Sequence, residues 1–100
     1  MPGTDIQLDE KIKVVISEPK KWKVILLNDD STPMEFVIEM LIEIFRHTSE
    51  TAEDIMLQVH ETGSGIAGVY SFEIAEAKAV EATNLARTNS HPLQIKLEEE

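Results

Sequence analysis

No cysteine occurs among the 100 residues. That rules out a disulfide framework and a thiol nucleophile, and it fits a reducing compartment. Basic residues are scarce as well: 9 Lys and Arg stand against 19 Asp and Glu, for a formal net charge of -10. Such a field opposes DNA, RNA and anionic lipid, which call for clustered Lys and Arg against phosphate. It favours partners that bring positive charge, a free amino group included. No apolar run approaches the roughly 20 residues of a membrane span, and the first residues hold no long apolar stretch or Arg-rich amphipathic segment. A cytoplasmic protein is therefore expected. Internal repeats and low-complexity segments are also missing. What is present is 42% hydrophobic and 28% charged, the balance of a folded soluble chain with one modest core.

Residues 1 to 21 read as an N-terminal arm that is flexible or, through Ile12-Lys13-Val14-Val15-Ile16, adds an edge strand before Pro19 interrupts it. Residues 22 to 100 form the domain proper. Trp22 to Leu27 is a strand with Trp22, Val24 and Leu26 on one face; Ile25 and Leu27 make the other apolar too, which suits a central position. Thr32, Pro33 and Glu35 then predict a helix start, with Thr32 as N-cap, Pro33 at N1 and Glu35 closing a capping box. That helix is expected from Pro33 to about His47, its stripe being Val37, Leu41, Ile44 and Phe45, extended by Met34 and Ile38. Phe36, Met40 and Ile42 widen its apolar surface, so it is either buried on most sides or keeps part of itself for a partner.

A second helix, capped by Ser49 or Thr51, runs to about Glu61 with Ala52, Ile55, Met56 and Val59 inward. Thr62-Gly63-Ser64-Gly65 breaks it. Ile66 to Tyr70 is a short strand in which Gly68 marks a bulge or a close backbone approach. Ser71 caps a third helix, Phe72 to about Thr88, with a buried stripe of Ala75, Ala79, Ala82 and Ala86 helped by Leu85; Glu73, Glu76, Lys78 and Glu81 lie opposite. After the turn Asn89-Ser90-His91-Pro92, the alternation Leu93 to Leu97 gives a last strand, and Glu98 to Glu100 discourage further edge pairing. The expected fold is α+β: a small three-stranded antiparallel sheet packed against three helices in the order β-α-α-β-α-β.

Where the first strand hands over to the first helix stand Asn28, Asp29 and Asp30. They are either an Asx-type turn facing water or an acceptor set for a donor from outside. A protonated α-amine, with three N–H donors and one positive charge, matches the second use. His60, near the end of the second helix, is a surface or capping histidine or a further acceptor for the same head group. Met34, Met40 and Met56 serve as core filler or as the wall of an adaptable apolar pocket. The three histidines at 47, 60 and 91 lack zinc-ligand spacing. Glycines 63, 65 and 68 precede a strand with no lysine after them, unlike a phosphate loop. The serines at 31, 64, 71 and 90 read as turns or caps, so no nucleophile–base pair is visible.

Three blocks then carry a resemblance: Leu27-Asn28-Asp29-Asp30-Ser31-Thr32-Pro33-Met34-Glu35-Phe36-Val37, Ile55-Met56-Leu57-Gln58-Val59-His60, and Gly68-Val69-Tyr70. With Ile74-Ala75-Glu76-Ala77-Lys78 and His91-Pro92-Leu93 they closely resemble the ClpS family, bacterial adaptors that select N-end rule substrates for a Clp ATPase–protease. The resemblance covers Trp22 to the C-terminus. It implies an adaptor, not an enzyme, with no cofactor or metal, acting as a monomer. By position it implies that Asn28, Asp29 and His60 hold the substrate's α-amino group. It places Asp30, Thr32, Met34, Val37, Met56, Val59 and Leu93 around the pocket for a first side chain of Leu, Phe, Tyr or Trp, with Met34 as gatekeeper. Glu73 and Lys78 match the face that docks on the N-terminal domain of a ClpA- or ClpC-type ATPase, and the arm takes part in delivery. Ser31 and Glu61 stand where the family often carries aromatics. Two other readings of the residues remain: a module binding internal peptide segments through the apolar first helix, and a small hydrolase using Asp29 or Asp30 with His60.

Overall fold

The computed structural model describes residues 20–100. The expected arm and its edge-strand alternative lie outside the described residues, save for Lys20 and Lys21, which lead into the first strand. From there the elements follow the expected order: β1 (Trp22–Leu27), α1 (Met34–Glu43), α2 (Ser49–Thr62), β2 (Ser64–Tyr70), α3 (Phe72–Thr88) and β3 (Gln94–Glu99). β1 is the middle strand, antiparallel to β2 on one side and β3 on the other.

The alternation in β1 decides where the core forms. Val24 and Leu26 are fully buried and join Val37, Met40, Leu41, Ala52, Met56, Val59, Ala75, Ala82, Ala86 and Leu93 in one cluster, so all three helices gather over that face. Ile25 and Leu27 point to the other face and share a shallow depression with Ile66, Lys23 and Lys96. The alanine stripe of α3 brings its backbone close to the sheet, as its spacing predicts. Across β2, residue Val24 pairs with Gly68 and Ile25 with Ile66, which leaves Ala67 as the extra residue of a bulge. Gly68 is the neighbour of that bulge and not its extra residue, and what approaches it closely is the Tyr70 ring, which lies where a Cβ would sit.

Several boundaries differ from the sequence reading. Helix α1 ends at Glu43 instead of His47: Arg46 takes a left-handed φ of 61°, and the His47 N–H returns to the Leu41 carbonyl at 3.1 Å. Ile44 and Phe45 are nonetheless buried, so the stripe was right where the helix length was not. The N-cap is Pro33, not Thr32, and no side chain caps that end. Thr32 lies one residue before the cap position, and its N–H and hydroxyl both turn back to the Asp29 carboxylate. Thr48, in place of Ser49 or Thr51, caps α2 by accepting from the Thr51 N–H at 3.2 Å. β2 begins at Ser64, inside the expected breaker, and β3 runs on through Glu98 and Glu99, which pair with Lys23 and Trp22. A Lys23–Glu98 contact of 3.4 Å offsets part of the acidic charge there.

Lys78 is the largest displacement from expectation. It is half-buried, not on the exposed side of α3, and its ammonium donates to the Ile44 carbonyl at 2.7 Å. The same group faces the Phe45 and Tyr70 rings, 5.9 and 5.4 Å from their centroids. A cation here satisfies a carbonyl that helix α1 leaves open at its negative end.

Candidate functional site

The bend after β1 is held from two directions. The Asn28 N–H donates to the Gly63 carbonyl at 3.0 Å, tying the end of β1 to the end of α2. Gly63 closes α2 with φ of 94°, a conformation that favours glycine, and its own N–H returns to Val59. This pair of bonds sets His60, in the last turn of α2, beside Asn28. From the other side, the turn after α3 is fixed by Arg87, whose Nη1 donates to the His91 and Leu93 carbonyls at 2.9 and 2.8 Å. His91 packs edge-on against Phe36, with 4.6 Å between ring centroids.

Asp29 organises the bend itself. Its Oδ1 accepts from the N–H groups of Ser31 and Thr32 at 2.8 and 2.7 Å, and its Oδ2 accepts from the Thr32 hydroxyl at 2.8 Å. The Asx-type turn is therefore real. Partial burial, the largest single influence on this carboxyl, pushes it up. The Thr32 hydroxyl, the Thr32 and Ser31 N–H groups and the charge of nearby His91 together outweigh burial and leave Asp29 below the ordinary aspartate value.

Between the bend and the two helices opens a cavity of about 180 Å³, lined by Asn28, Asp29, Asp30, Thr32, Met34, Met56 and His60. Met34 stands at its mouth, 41% exposed, while Met56 is 4% exposed and forms its floor. Its lining combines polar side chains with the two thioethers of Met34 and Met56. Seven of the ten residues expected around the terminal amine and first side chain meet here. Val37, Val59 and Leu93 do not: they are buried in the core and do not line the cavity. Glu73 is exposed in the first turn of α3, whereas Lys78 is engaged with Ile44.

Two neighbours escaped the sequence reading. His91 acts on Asp29 through its charge, and Arg87 secures the turn that holds His91 there. The approach of His91 to Asp29 joins segments distant in sequence and leaves no local pattern, whereas the Arg87 bonds span only four and six residues. A wider, shallower depression of about 590 Å³ lies on that side, lined by Ser31, Arg87, Ser90, His91, Pro92 and Gln94.

The model of the ATP-dependent Clp protease adaptor protein ClpS matches residues 17–96. The chain belongs to the ClpS family. Among its curated relatives, the ClpS adapter of Bdellovibrio bacteriovorus is 52% identical over 85% of this chain and 75% of its own length. That of Maricaulis maris is 47% identical over 93% of this chain and 85% of its own. In structure the chain is similar to Agrobacterium tumefaciens ClpS2 bound to L-phenylalaninamide, at a TM-score of 0.80 and 43% identity, over 83% of this chain and 100% of that one. The α+β fold, with its β-α-α-β-α-β order, is that of the ClpS neighbour. Among the described residues, no helix is long and apolar enough to cross a membrane.

Proposed function

We propose that the chain is an adaptor that recognises proteins by a free N-terminal hydrophobic residue and delivers them to a Clp ATPase–protease. The observation that carries this is the cavity's mixed lining. Asn28, Asp29 and His60, which can accept from an ammonium, share one cavity with the apolar side chains of Met34 and Met56. Its 180 Å³ is well below the roughly 300–1,000 Å³ of a drug-sized site, so it suits one side chain. Desolvating an ammonium costs several kcal/mol unless its donors are met, which makes the acceptor cluster a selector for a free terminus. L-phenylalaninamide, seen bound to the Agrobacterium relative, joins a free amine to an aromatic side chain and so represents an N-terminal Phe.

In this reading Asn28, Asp29 and His60 hold the amine, while Asp30, Thr32, Met34 and Met56 border the first side chain and Val37, Val59 and Leu93 back it from the core. Glu73 and Lys78 mark the face of α3 that meets the N-terminal domain of a ClpA- or ClpC-type ATPase in the cytoplasm. Residues 1 to 21 act as an arm in delivery, and residues 22 to 100 are the binding domain. Acid–base hydrolysis is disfavoured, because the lowered Asp29 carboxyl is a weak base already engaged by its own bend.

A series of peptides differing only at residue one tests the substrate class. Leu, Phe, Tyr and Trp are expected to bind, and Ser, Asp or Lys to bind at least about tenfold more weakly given the apolar wall. Equal affinity across the series would reject the reading. Reconstitution with the ATPase and its peptidase should then show faster degradation of a Leu-starting substrate when the chain is added.

A further inference from the structure

Thr32 touches the site in two ways. Its methyl can border the cavity, which makes it a lining residue for the first side chain. Its hydroxyl, however, is directed to Asp29 Oδ2 at 2.8 Å, and its N–H to Asp29 Oδ1 at 2.7 Å. An ionised carboxylate offers roughly four acceptor positions. Three are used inside the bend, two at Oδ1 and one at Oδ2. The position left over is on Oδ2, the oxygen that the Thr32 hydroxyl holds, and Asp29 lines the cavity.

We infer that Thr32 is a positioning residue for amine recognition: its hydroxyl fixes the Asp29 carboxylate so that one acceptor position on Oδ2 is presented to the substrate ammonium. This rests on the reading that the cavity takes a free N-terminus. It moves Thr32 from the side-chain end of the site to the amine end. It also limits Asp29 to a single bond with the ammonium, so the other two donors fall to the Asn28 side-chain carbonyl and a ring nitrogen of His60. The lowered Asp29 carboxyl agrees with a carboxylate that the Thr32 hydroxyl keeps ionised.

Two substitutions separate the two ends of the site because they divide the threonine side chain between them. T32V keeps shape and methyl and loses the hydroxyl; T32S keeps the hydroxyl and loses the methyl. For a positioning residue, T32V weakens binding of a free Leu- or Phe-starting peptide by about tenfold or more, the usual effect of losing a hydrogen bond to a charged group. T32S stays within about threefold of the parent, since that bond is retained. For a lining residue the order reverses, and T32S is the weaker binder. T32V should also lose affinity at a higher pH on the acid side, because its Asp29 carboxyl has lost a stabilising donor; T32S should keep the parent profile.

A D29N background provides a second readout. If Thr32 acts through Asp29, T32V adds little to D29N, whereas independent roles multiply. T32V binding like the parent, T32S binding worse than T32V, or multiplying effects would each overturn the inference. Should T32V fail to fold, T32S decides alone: parent-like affinity and pH profile support the inference, and a tenfold loss overturns it. The parent protein's own preference for a free over a blocked amine tests the underlying reading separately. If that preference holds while T32V is silent, only the role of Thr32 fails.

Discussion

Met34 and Asp29 show what single residues contribute and how far the sequence discloses it. Met34 sits at the cavity mouth, 41% exposed, with no need to move core atoms when it is shortened. M34A should therefore admit first residues branched at Cβ, raising affinity for Val- and Ile-starting peptides by about tenfold. Parallel titrations of both proteins check this, and an unchanged preference would reject the gate. Asp29 gives a pH dependence. Its folded carboxyl lies below the ordinary 3.8, so its bonds stabilise the bend fully above that value and are lost as pH falls below it through the lowered folded one. D29N should lack this part of the acid destabilisation, which thermal melts across the acid range would show. The composition of the bend was legible in the sequence, but its wiring was not. Thr32, Pro33 and Glu35 spell a capping box, yet the N–H and hydroxyl of Thr32 both turn back to the Asp29 carboxylate and the cap position falls one residue later, on Pro33.

At the scale of elements, strand β1 and the three helices were readable because their hydrophobic period persists over long stretches, although the capping residues of the first two helices were not the expected ones. Helix α3 matches its expected span, Phe72–Thr88. The ends that shifted are those set by partners far along the chain. The C-terminus of α1 is the clearest case, since Lys78 from α3 reaches its Ile44 carbonyl at 2.7 Å. Lys78 reads as a surface charge from its residue type and its acidic neighbours Glu76 and Glu81, although its spacing of three from Ala75 and four from Ala82 puts it on the flank of the alanine stripe; nothing local reveals the rings of Phe45 and Tyr70. K78M should lower stability by about 1–3 kcal/mol, through loss of a charged hydrogen bond at a helix C-terminus. E73K, at an exposed position, should stay within about 0.5 kcal/mol of the parent while weakening binding to the ATPase N-terminal domain. Urea denaturation and a binding titration with that domain check the two. A stable K78M would show that the ammonium does not support α1.

For the whole molecule, the excess of acidic residues was the most direct message of the sequence, and it agrees with the ligand proposed for the site. A formal charge of -10 attracts an ammonium over distance as well as in contact. Association with a free-amine peptide should therefore slow several-fold between low and high salt, with less change in dissociation. Stopped-flow measurements at several salt concentrations would show it; salt-independent association would contradict it. The juxtaposition of Asn28 with His60 was not visible as geometry, because it depends on the Asn28–Gly63 hydrogen bond between the ends of β1 and α2. The resemblance to a family named those residues together, and the fold supplies the physical reason they meet.

The central claim is that a free α-amine is what the bend recognises. The most direct measurement is calorimetric titration with one Phe-starting peptide, offered first with its amine free and then N-acetylated. The account predicts tight binding of the free form and a loss of about a hundredfold or more on acetylation, because charge and donors vanish together. Equal affinity for the two forms would contradict it and would point instead to recognition of an internal segment.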